Sequence, residues 1–505
     1  MSTESEQRRV LGPLSAAVAN MCTLLLPQVS PRTGAGFGEV LRRLRAPLQV
    51  AVAGRISSGK STLVNALIGR RVAPTAVGEC TKLVTRFSYG TVDRVEVIFR
   101  DGARQVLPFD ADGMIPADLG LGAVERVSHL EAYLTNAVLR DLTVIDTPGL
   151  GSLDTASVAR TDAVLNGDGD LDPVSADAVA GAEAVLYVVT QAVRADDQQA
   201  LLAFTAATAR REAGPVNAIA VLNKADTVSP GADGDVWRAA AQLAGQQAAT
   251  LRPRVADVLP VIGLLAESAE TGAFTSADAD ALRTLAALDE TTWETMLVSA
   301  DLFTTWEAPV PAGTRALLLA KLDLYGLRGA VAALRAEPAL SAGELRRRLL
   351  AGSGLAAVRG RLDAVFRARA DGIKAAAAIG SITALVHASG DPGERQRVHD
   401  AIEVLLTRPE AHQLRLLEAL TLVATGAVDL PADLADEVLR VGGSAEVGER
   451  LGLVGRPVAD LAGYALERAS WWRSFASFGA TPAQSRVAHV VHRAYFLLWQ
   501  ELRQT

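Results

Sequence analysis

Three kinds of residue are scarce in this chain of 505 residues, and each scarcity narrows what the protein can be. There are two cysteines, Cys22 and Cys80, too few for a disulfide scaffold or a cysteine metal cluster, which fits a reducing cytoplasm. Aromatic residues make up 5% of the chain although 49% of it is hydrophobic, so we expect helices packed through small aliphatic side chains. Only five of the 50 basic residues are lysines, so arginine is the usual cation of this chain. A lysine within a motif therefore suggests that the ammonium group itself is required there.

A long apolar run and an excess of positive charge are also missing. The net charge of −7 predicts no nucleic-acid partner. The longest uncharged run beyond the N-terminal region, residues 375–390, has 16 residues, whereas a spanning helix needs about 20, so no spanning helix is predicted. Residues 1–30 place two arginines before an uncharged stretch, as export signals do, but Glu4 and Glu6 make that start acidic. We therefore predict a cytoplasmic protein with a packed helix at 14–26.

A phosphate-binding loop is predicted at residues 54–61, which read Gly-Arg-Ile-Ser-Ser-Gly-Lys-Ser. An apolar run at 48–53 predicts a buried strand before it, and residues 62–68 predict a helix after it, which is the context the motif requires. Main-chain amides and the helix N-terminus would hold the phosphates, Lys60 would bridge the β- and γ-phosphates, and the Ser61 hydroxyl would bind Mg²⁺. The residues expected to contact nucleotide here are Gly54, Arg55, Ile56, Ser57, Ser58, Gly59, Lys60, Ser61 and Thr62.

A second motif, Asp-Thr-Pro-Gly at 146–149, follows a strand predicted at 142–146. We expect Asp146 to hold Mg²⁺ through water and the Gly149 amide to sense the γ-phosphate.

A third motif, Asn-Lys-Ala-Asp at 223–226, follows a strand predicted at 218–222. The Asp226 carboxylate can accept hydrogen bonds from the N1 and N2 groups of guanine, which adenine does not offer, so adenine would leave it unpaired. The nucleotide contacts expected here are Asn223, Lys224 and Asp226. Three ordered motifs, each after a strand, predict a GTP/GDP site, and a further base-side strand and loop is plausible at 258–263.

A switch loop between the first two motifs needs a threonine that can reach Mg²⁺ and the γ-phosphate. Thr75, Thr81 and Thr85 all qualify by residue type, so the residues alone leave three candidates.

Composition divides the chain into three predicted zones: N-terminal helices at 1–48, a GTPase domain at 49–310 and an all-helical neck and stalk at 311–505. The predicted fold is an α/β phosphate-loop GTPase domain, doubly wound with a mostly parallel sheet, plus an extended all-α helical bundle stalk built from both chain ends. Further strands are predicted at 83–89, 94–100, 184–190 and 257–262. Helical stretches are predicted at 313–335, 341–389, 393–407, 409–426, 431–440, 456–478 and 482–503.

The sequence resembles the bacterial dynamin-like GTPases, and among them most of all the isoniazid-inducible dynamin-like proteins of actinobacteria. The stretches that carry the resemblance are Gly-x-x-Ser-x-Gly-Lys-Ser-Thr-Leu-Val-Asn-Ala-Leu-Ile-Gly at 54–69, Ala-Pro-Thr at 73–75, Glu-Cys-Thr at 79–81, and residues 353–359 leading into Phe366 and Arg369. The nucleotide motifs are specific, whereas the helical C-terminal third matches in architecture more than in motif.

The resemblance implies a large GTPase whose heads dimerise across the nucleotide and whose helical stalk carries membrane binding or assembly. In dynamins the switch threonine lies seven residues after a conspicuous proline, which places it on Thr81, as a ligand of Mg²⁺ and a catalytic residue. The family's phosphate-loop serine, which helps to hold a charge-compensating cation or main chain in the transition state, corresponds to Ser57. Lys60 completes the catalytic set.

The chain departs from the family at Ile56. Eukaryotic dynamins have a glutamine there that orients the attacking water, and isoleucine has no polar group. We therefore expect slow hydrolysis by the isolated chain, rising with protein concentration or with a partner.

Two apolar segments are candidates for lipid contact. Trp471, Phe475 and Phe478 share one helical face with arginine nearby, which suits a membrane interface, but we predict that they form the core of the stalk. Residues 375–387 are the alternative lipid-facing or self-assembly segment.

The leading functional hypothesis is a dynamin-like GTPase that couples head dimerisation to membrane remodelling or stabilisation, cytoplasmic and peripheral at the inner face of the cell membrane, where anionic lipid would be its surface. The alternative is a regulatory or scaffolding GTPase that pairs with a second dynamin-like protein without touching lipid, which the absence of a clear polybasic run makes credible.

Overall fold

The computed structural model describes residues 11–55, 57–74, 83–116, 118–119, 126–147, 182–191, 218–228, 234–251, 255, 257–363, 368–424, 426–443 and 446–504. Within them, a nine-stranded sheet with helices on both faces forms the head, and a set of longer helices follows it.

The sheet confirms the predicted α/β class. Its strands lie in the order β4-β3-β5-β2-β6-β1-β7-β8-β9, and the neighbours from β6 to β9 in that order are all parallel. Antiparallel pairing is confined to β2 with β6 and to β3 with β4 and β5. The strands are β1 (Leu48–Gly54), β2 (Thr85–Tyr89), β3 (Arg94–Phe99), β4 (Arg104–Leu107), β5 (Val127–Leu134), β6 (Leu142–Asp146), β7 (Ala184–Val189), β8 (Ala218–Asn223) and β9 (Val258–Val261).

Strand β1 lies at the centre of the head because its residues are apolar on both sides. Val50 and Val52 belong to the core on one face of the sheet, whereas Ala51 and Ala53 belong to the core on the other. A strand between two parallel neighbours is covered on both faces, so a continuous apolar run suits it. The phosphate loop therefore starts from a central strand that is covered on both faces.

The helices account for most of the remaining described chain. They are α1 (Pro13–Leu25), α2 (Pro31–Arg45), α3 (Lys60–Ile68), α4 (Val236–Leu251), α5 (Gly263–Glu270), α6 (Ser276–Ala286), α7 (Glu290–Met296), α8 (Ala300–Thr305), α9 (Ala312–Ala336), α10 (Ala342–Ala351), α11 (Leu355–Leu362), α12 (Ala368–Ser389), α13 (Pro392–Leu406), α14 (His412–Ala424), α15 (Ala432–Val441), α16 (Val447–Leu451), α17 (Val458–Phe478) and α18 (Pro482–Leu502).

The core of the head continues past residue 310, where the sequence predicted a boundary. Leu318 and Val331 of α9 belong to the same core as Tyr187 of β7 and Leu222 of β8. Helices α9 to α11 bury their apolar sides against the head, so they belong to it by packing. We therefore propose that the head ends after Leu362.

The single helical stretch predicted at 341–389 is wrong, because the structure divides it into α10, α11 and α12. Gly354 caps the start of α11 with a φ of 78°, in the left-handed region that favours glycine. A Cβ there would lie 2.7 Å from the Pro260 carbonyl oxygen, so no larger residue fits without a shift. The turn brings the chain back against the end of β9.

The N-terminal helices pack against the middle of the chain, not against its last helices. Val18 of α1 and Phe37 of α2 share a core with Ile382 of α12 and Val398 of α13. Helices α14 to α18 form a separate core, in which α17 and α18 pack along each other. The helical part thus joins the chain's N-terminal segment to α12 and α13.

Carboxylates from distant helices cap both N-terminal helices. Asp371 accepts hydrogen bonds from the main-chain N–H groups of Leu14 (2.9 Å) and Ser15 (2.8 Å). Glu394 accepts from the Thr33 hydroxyl at 2.9 Å and from the Ser30 N–H. The first N–H groups of a helix have no partner within it, so these carboxylates satisfy donors that would otherwise need water.

Within the described residues, one helix, Arg369–Ser389, is long and apolar enough to cross a membrane by length and composition alone. Its Ala375, Ile382 and Val386 are buried against helices α1, α2 and α13, as the inner face of a core helix would be. Packing therefore already occupies one side of the segment that the sequence offered for lipid contact.

The prediction that Trp471, Phe475 and Phe478 form the stalk core is wrong. Phe478 is 94% exposed and Trp471 is 39% exposed and stacked on Phe475, whereas Trp472 is fully buried. The face of α17 that meets α18 is instead built from small residues and Trp472, which lets the two helices approach closely. Its members are Leu461, Ala465, Ala469, Trp472 and Ala476.

Candidate functional site

The phosphate loop connects β1 to α3 as the sequence predicts. Gly59 has a φ of 86°, and a Cβ there would lie 2.3 Å from Asn223 Nδ2, so only glycine fits. Helix α3 begins at Lys60, directly after the loop. Lys60, Ser61 and Thr62 therefore form the first turn of this helix. Of the other predicted contacts, Ser57 is exposed with a φ of 60°, Ser58 is buried, and Ile56 lies outside the described residues.

The Lys60 ammonium is buried within this loop. Its Nζ donates to the Arg55 carbonyl oxygen at 2.8 Å, and the side chain is 8% exposed. Burial lowers the pKa of Lys60, while the nearby Asp146 carboxylate opposes that change. Among the described residues, a carbonyl group and a neighbouring carboxylate hold this buried cation, which is well placed to bind phosphate oxygens.

Two of the predicted Mg²⁺ ligands meet beside the loop. The Ser61 hydroxyl donates to Asp146 Oδ2 at 3.0 Å. Asp146 is held there by its neighbour, because the Thr147 hydroxyl donates to the Val52 carbonyl oxygen of β1 at 2.9 Å. Burial raises the pKa of Asp146 to about 6, against the opposing effects of Lys60 and Ser61.

The Asp146 carboxylate has bonding capacity left for a cation. Its Oδ1 is shielded from solvent and has no hydrogen-bond partner among the described residues. A hydroxyl and a carboxylate with a spare oxygen are the hard donors that Mg²⁺ prefers, so the residues fit the ion. The third predicted ligand, Thr81, and the γ-phosphate sensor Gly149 lie outside the described residues, as does Thr75. The remaining threonine candidate, Thr85, begins β2 and is aligned with Asp146 across the β2–β6 pair.

Asn223 braces the base side of the site. Its Nδ2 donates to the Ser58 carbonyl oxygen at 2.8 Å, and its Oδ1 accepts from the N–H groups of Lys224 (2.8 Å) and Gly263 (2.9 Å). Its side chain is 2% exposed, so it joins the third motif to the phosphate loop and to α5. The strand and loop proposed at 258–263 therefore lie next to the base motif.

Asp226 and Lys224 remain accessible at this end of the site. Asp226 is half-buried, and burial raises the pKa of its carboxyl, with Asp323 adding to the increase. Lys224 is exposed and has a φ of 57°. No side-chain hydrogen bond like those of Asn223 ties Asp226 to the phosphate loop among the described residues, so its role in reading the base stays a prediction.

Replacing Asp226 by asparagine is expected to exchange guanine for xanthine selectivity. The amide would offer a donor where xanthine has a carbonyl group at position 2, and guanine would lose its acceptor. We expect GDP affinity to fall ~100-fold or more and xanthosine diphosphate affinity to rise, as for a site built around one buried polar contact. Competition titrations with both diphosphates check this, and unchanged GDP binding by the variant would contradict it.

The segment that carries the later part of the resemblance contacts the nucleotide helix. Arg359 donates through Nη2 to the Ala66 carbonyl oxygen at 2.9 Å, at the end of α3, and through Nη1 to Glu270 at 2.6 Å. The Ser353 carbonyl oxygen accepts from the Ile262 N–H at 2.8 Å, while Phe366 lies outside the described residues. Residues 353–359 are therefore bonded directly to α3 and to the residue that follows β9.

Sequence reasoning missed one polar residue near the site. Asn65 lies on the buried side of α3, one turn after Ser61, and makes four hydrogen bonds there. The sequence does contain a sign of this role, since Asn65 is the one polar residue in the apolar run Leu63–Ile68. A polar group buried in such a run requires hydrogen-bond partners.

Comparison with known proteins places this site in a family. A sequence model described as the dynamin family matches residues 50–225. The isoniazid-induced protein IniC of Mycobacterium tuberculosis is 33% identical over 442 residues, which are 85% of this chain and 85% of that protein. Dynamin-like protein 2 of Campylobacter jejuni is 27% identical over 128 residues, 25% of this chain and 21% of that protein.

A solved structure is also similar over the whole length. It belongs to an oligomerised bacterial dynamin pair, is 12% identical, and covers 99% of this chain and 77% of its own, with a TM-score of 0.31. The family assignment depends on the sequence matches, since the relative from M. tuberculosis is aligned over most of both chains. The sequence matches therefore show that the chain belongs to the dynamin family of GTPases.

Proposed function

We propose that this protein binds and hydrolyses GTP with Mg²⁺, and that dimerisation of its heads drives remodelling or stabilisation of a membrane at its cytoplasmic face. The observation that carries the proposal is the convergence of Lys60, the Ser61–Asp146 pair and Asp226 at the carboxyl ends of neighbouring parallel strands. In open α/β sheets, this edge is where ligands bind.

Each residue has a role in this proposal. Lys60 neutralises charge on the β- and γ-phosphates, and Ser61, Asp146 and Thr81 hold Mg²⁺. Mg²⁺ at these residues would supply positive charge to offset the negative charge that develops during phosphoryl transfer. The Gly149 amide reports the presence of the γ-phosphate.

Water positioning is the weakest part of the catalytic set in a single chain. Ile56 has no polar group where eukaryotic dynamins have glutamine, so positioning of the attacking water depends on Thr81, main-chain groups or a second head. We propose that self-association of heads, or pairing with a second dynamin-like protein, supplies what is missing.

Turnover per head is expected to rise with protein concentration. If a second head completes the site, kcat per chain increases as dimers form and levels off once all heads are paired. Phosphate release from GTP, measured across a protein dilution series, tests this. A rate that is fast and independent of concentration would contradict the dependence on a partner.

The regulatory or scaffolding alternative has one observation in its favour. The side chains Ala375, Ile382 and Val386, in the segment first considered for lipid contact, are buried between helices. Sedimentation with vesicles containing anionic phospholipid, with and without a non-hydrolysable GTP analogue, separates the two functions. Nucleotide-dependent sedimentation supports membrane remodelling, whereas turnover without sedimentation supports scaffolding.

A further inference from the structure

Asn65 uses its whole hydrogen-bonding capacity to hold the chain that follows α3. Its Oδ1 accepts from the N–H groups of Val72 (3.0 Å) and Ala73 (2.8 Å), and its Nδ2 donates to the Ala73 carbonyl oxygen (2.9 Å). The second Nδ2 proton goes to Glu267 Oε1 at 2.7 Å. An amide has two donor protons and two acceptor lone pairs, so no capacity remains.

Glu267 fixes the orientation of that amide from the opposite side. It lies on α5, is 4% exposed, and has Arg71 Nε 3.6 Å from its Oε1. Burial raises the pKa of Glu267, and the bond from Asn65 and the charge of Arg71 oppose the increase. The same helix starts at Gly263, whose N–H donates to Asn223 of the guanine motif.

Ala73 and Val84, on either side of residues 75–82 in the sequence, are each held by hydrogen bonds. Ala73 is tied to α3 by Asn65, and Val84 is tied to the sheet through its carbonyl oxygen, which accepts from the Leu130 N–H at 2.9 Å. Thr81 lies between these points in sequence. The start of the loop is thus fixed to the same helix whose first residues hold the phosphates.

We propose that Asn65 and Glu267 act as positioning residues for GTP hydrolysis by setting the start of the loop that contains Thr81. This inference depends on the proposed GTPase function and extends it to two residues that touch neither nucleotide nor Mg²⁺. In variants of Asn65 or Glu267, the phosphate loop and the base motif keep their own hydrogen bonds, so GDP affinity is expected to persist. The rate of the chemical step is expected to fall, because it depends on the placement of the loop.

The test reverses the polarity of the hydrogen bond between the two side chains. Asn65→Asp keeps an oxygen for the N–H groups of Val72 and Ala73 but sets the other carboxylate oxygen against Glu267 and against the Ala73 carbonyl oxygen. We expect kcat to fall ~30-fold, in line with the cost of small misplacements near a reacting centre, and GDP affinity to change less than about twofold. In Asn65→Asp/Glu267→Gln, the new amide can donate to Asp while the bond to the Ala73 carbonyl oxygen stays lost, so part of the lost kcat is expected to return.

A second variant keeps the test valid if Asn65→Asp does not fold. Glu267→Ala retains the bonds from Asn65 to the main chain but removes the partner that orients the amide, so a smaller loss of kcat with unchanged GDP affinity is expected. Asp278→Asn is the matched control, because it changes another buried carboxylate of the head, paired with Lys321 at 2.7 Å. It is expected to lower the melting temperature without lowering kcat.

The outcomes test the positioning role of Asn65 and Glu267 separately from the GTPase function. Wild-type protein without GTP turnover would refute the proposed function. If the wild type is active, three results would each overturn the positioning role of Asn65 and Glu267. They are an unchanged kcat in folded Asn65→Asp or Glu267→Ala, no recovery of kcat in the double variant, and an equal loss of kcat in Asp278→Asn.

Discussion

Lys60→Ala is expected to lower GTP affinity by roughly two to three orders of magnitude and to abolish measurable turnover, since it removes charge-assisted hydrogen bonds to the phosphates, each worth about 1.5–3 kcal/mol. The ammonium is 8% exposed and is the positive charge that opposes the raised pKa of Asp146. Its loss therefore removes a phosphate contact and also raises the pKa of Asp146 further, which weakens Mg²⁺ binding at neutral pH. Calorimetric titration with a GTP analogue, with and without Mg²⁺, measures both effects.

Two further variants show whether the effect belongs to the ammonium. Lys60→Arg keeps the charge but replaces a compact group by a planar one that does not fit between phosphates, so we expect it to lose most of the affinity as well. Lys321→Ala removes a lysine that pairs with Asp278 and lies outside the nucleotide site, and it should bind GTP normally. Unchanged nucleotide affinity in Lys60→Ala, or binding of ATP in preference to GTP, would refute the proposed site.

The nucleotide site could be predicted because each part is a short contiguous pattern after a strand. The motifs at 54–61, 146–149 and 223–226 each fix several residues in order, so their local structure follows from the sequence. Their meeting point follows from parallel pairing of β6, β1, β7 and β8, which brings the strand ends to one edge. What the patterns do not contain is the bracing between them, such as the bonds of Asn223 to Ser58 and Gly263.

The strands that sequence reasoning missed lie toward the sheet edge. Strand β5 contains His129 and Glu131 among its apolar residues, and edge strand β4 has exposed positions. Neither strand is among the predicted ones, because only part of each strand is buried and its apolar pattern is weak. Their side chains are stabilised by pairing with β3, a long-range interaction that a local pattern does not encode.

The aromatic face of α17 shows a different limit. Periodicity identified Trp471, Phe475 and Phe478 as one face, which is correct, but it did not say which face is inside. The buried face is decided by Glu437, whose carboxylate accepts from Trp472 Nε1 at 3.0 Å and Tyr495 at 2.7 Å. A buried carboxylate requires such partners, so the hydrogen-bonded tryptophan is inside although its exposed neighbours are as apolar.

The second large effect concerns a buried ion pair between the head and the helices. Lys374 of α12 is 6% exposed, and its Nζ lies 3.5 Å from Glu183 Oε1 and donates to the Arg43 carbonyl oxygen at 2.9 Å. Glu183, just before β7, also accepts from the Gln49 N–H at 3.0 Å. The pair therefore joins α2 and α12 to the edge of the central strands opposite the nucleotide.

Lys374→Met is expected to destabilise the protein by about 3–5 kcal/mol at pH 8, since it leaves a buried carboxylate without its cation. Burial already raises the pKa of Glu183 above the ordinary 4.5, against the lowering by Lys374, the Gln49 N–H and Arg43. Without the ammonium that pKa rises further. Urea midpoints of the full chain, measured at pH 8 and at pH 5, give the change in stability.

The sign of the pH dependence distinguishes lost charge from lost packing. A carboxyl group whose pKa is raised in the folded state contributes stability that is complete below its unfolded value of 4.5 and is lost as the pH rises through the folded pKa. The deficit of Lys374→Met should therefore be largest at pH 8 and shrink toward pH 5. In Lys374→Met/Glu183→Gln, the amide can still accept from Gln49 without a charge, so most of the deficit should disappear at both pH values. A deficit that is the same at both pH values and persists in the double variant would mean that Lys374 stabilises the junction through its aliphatic chain and not through its charge.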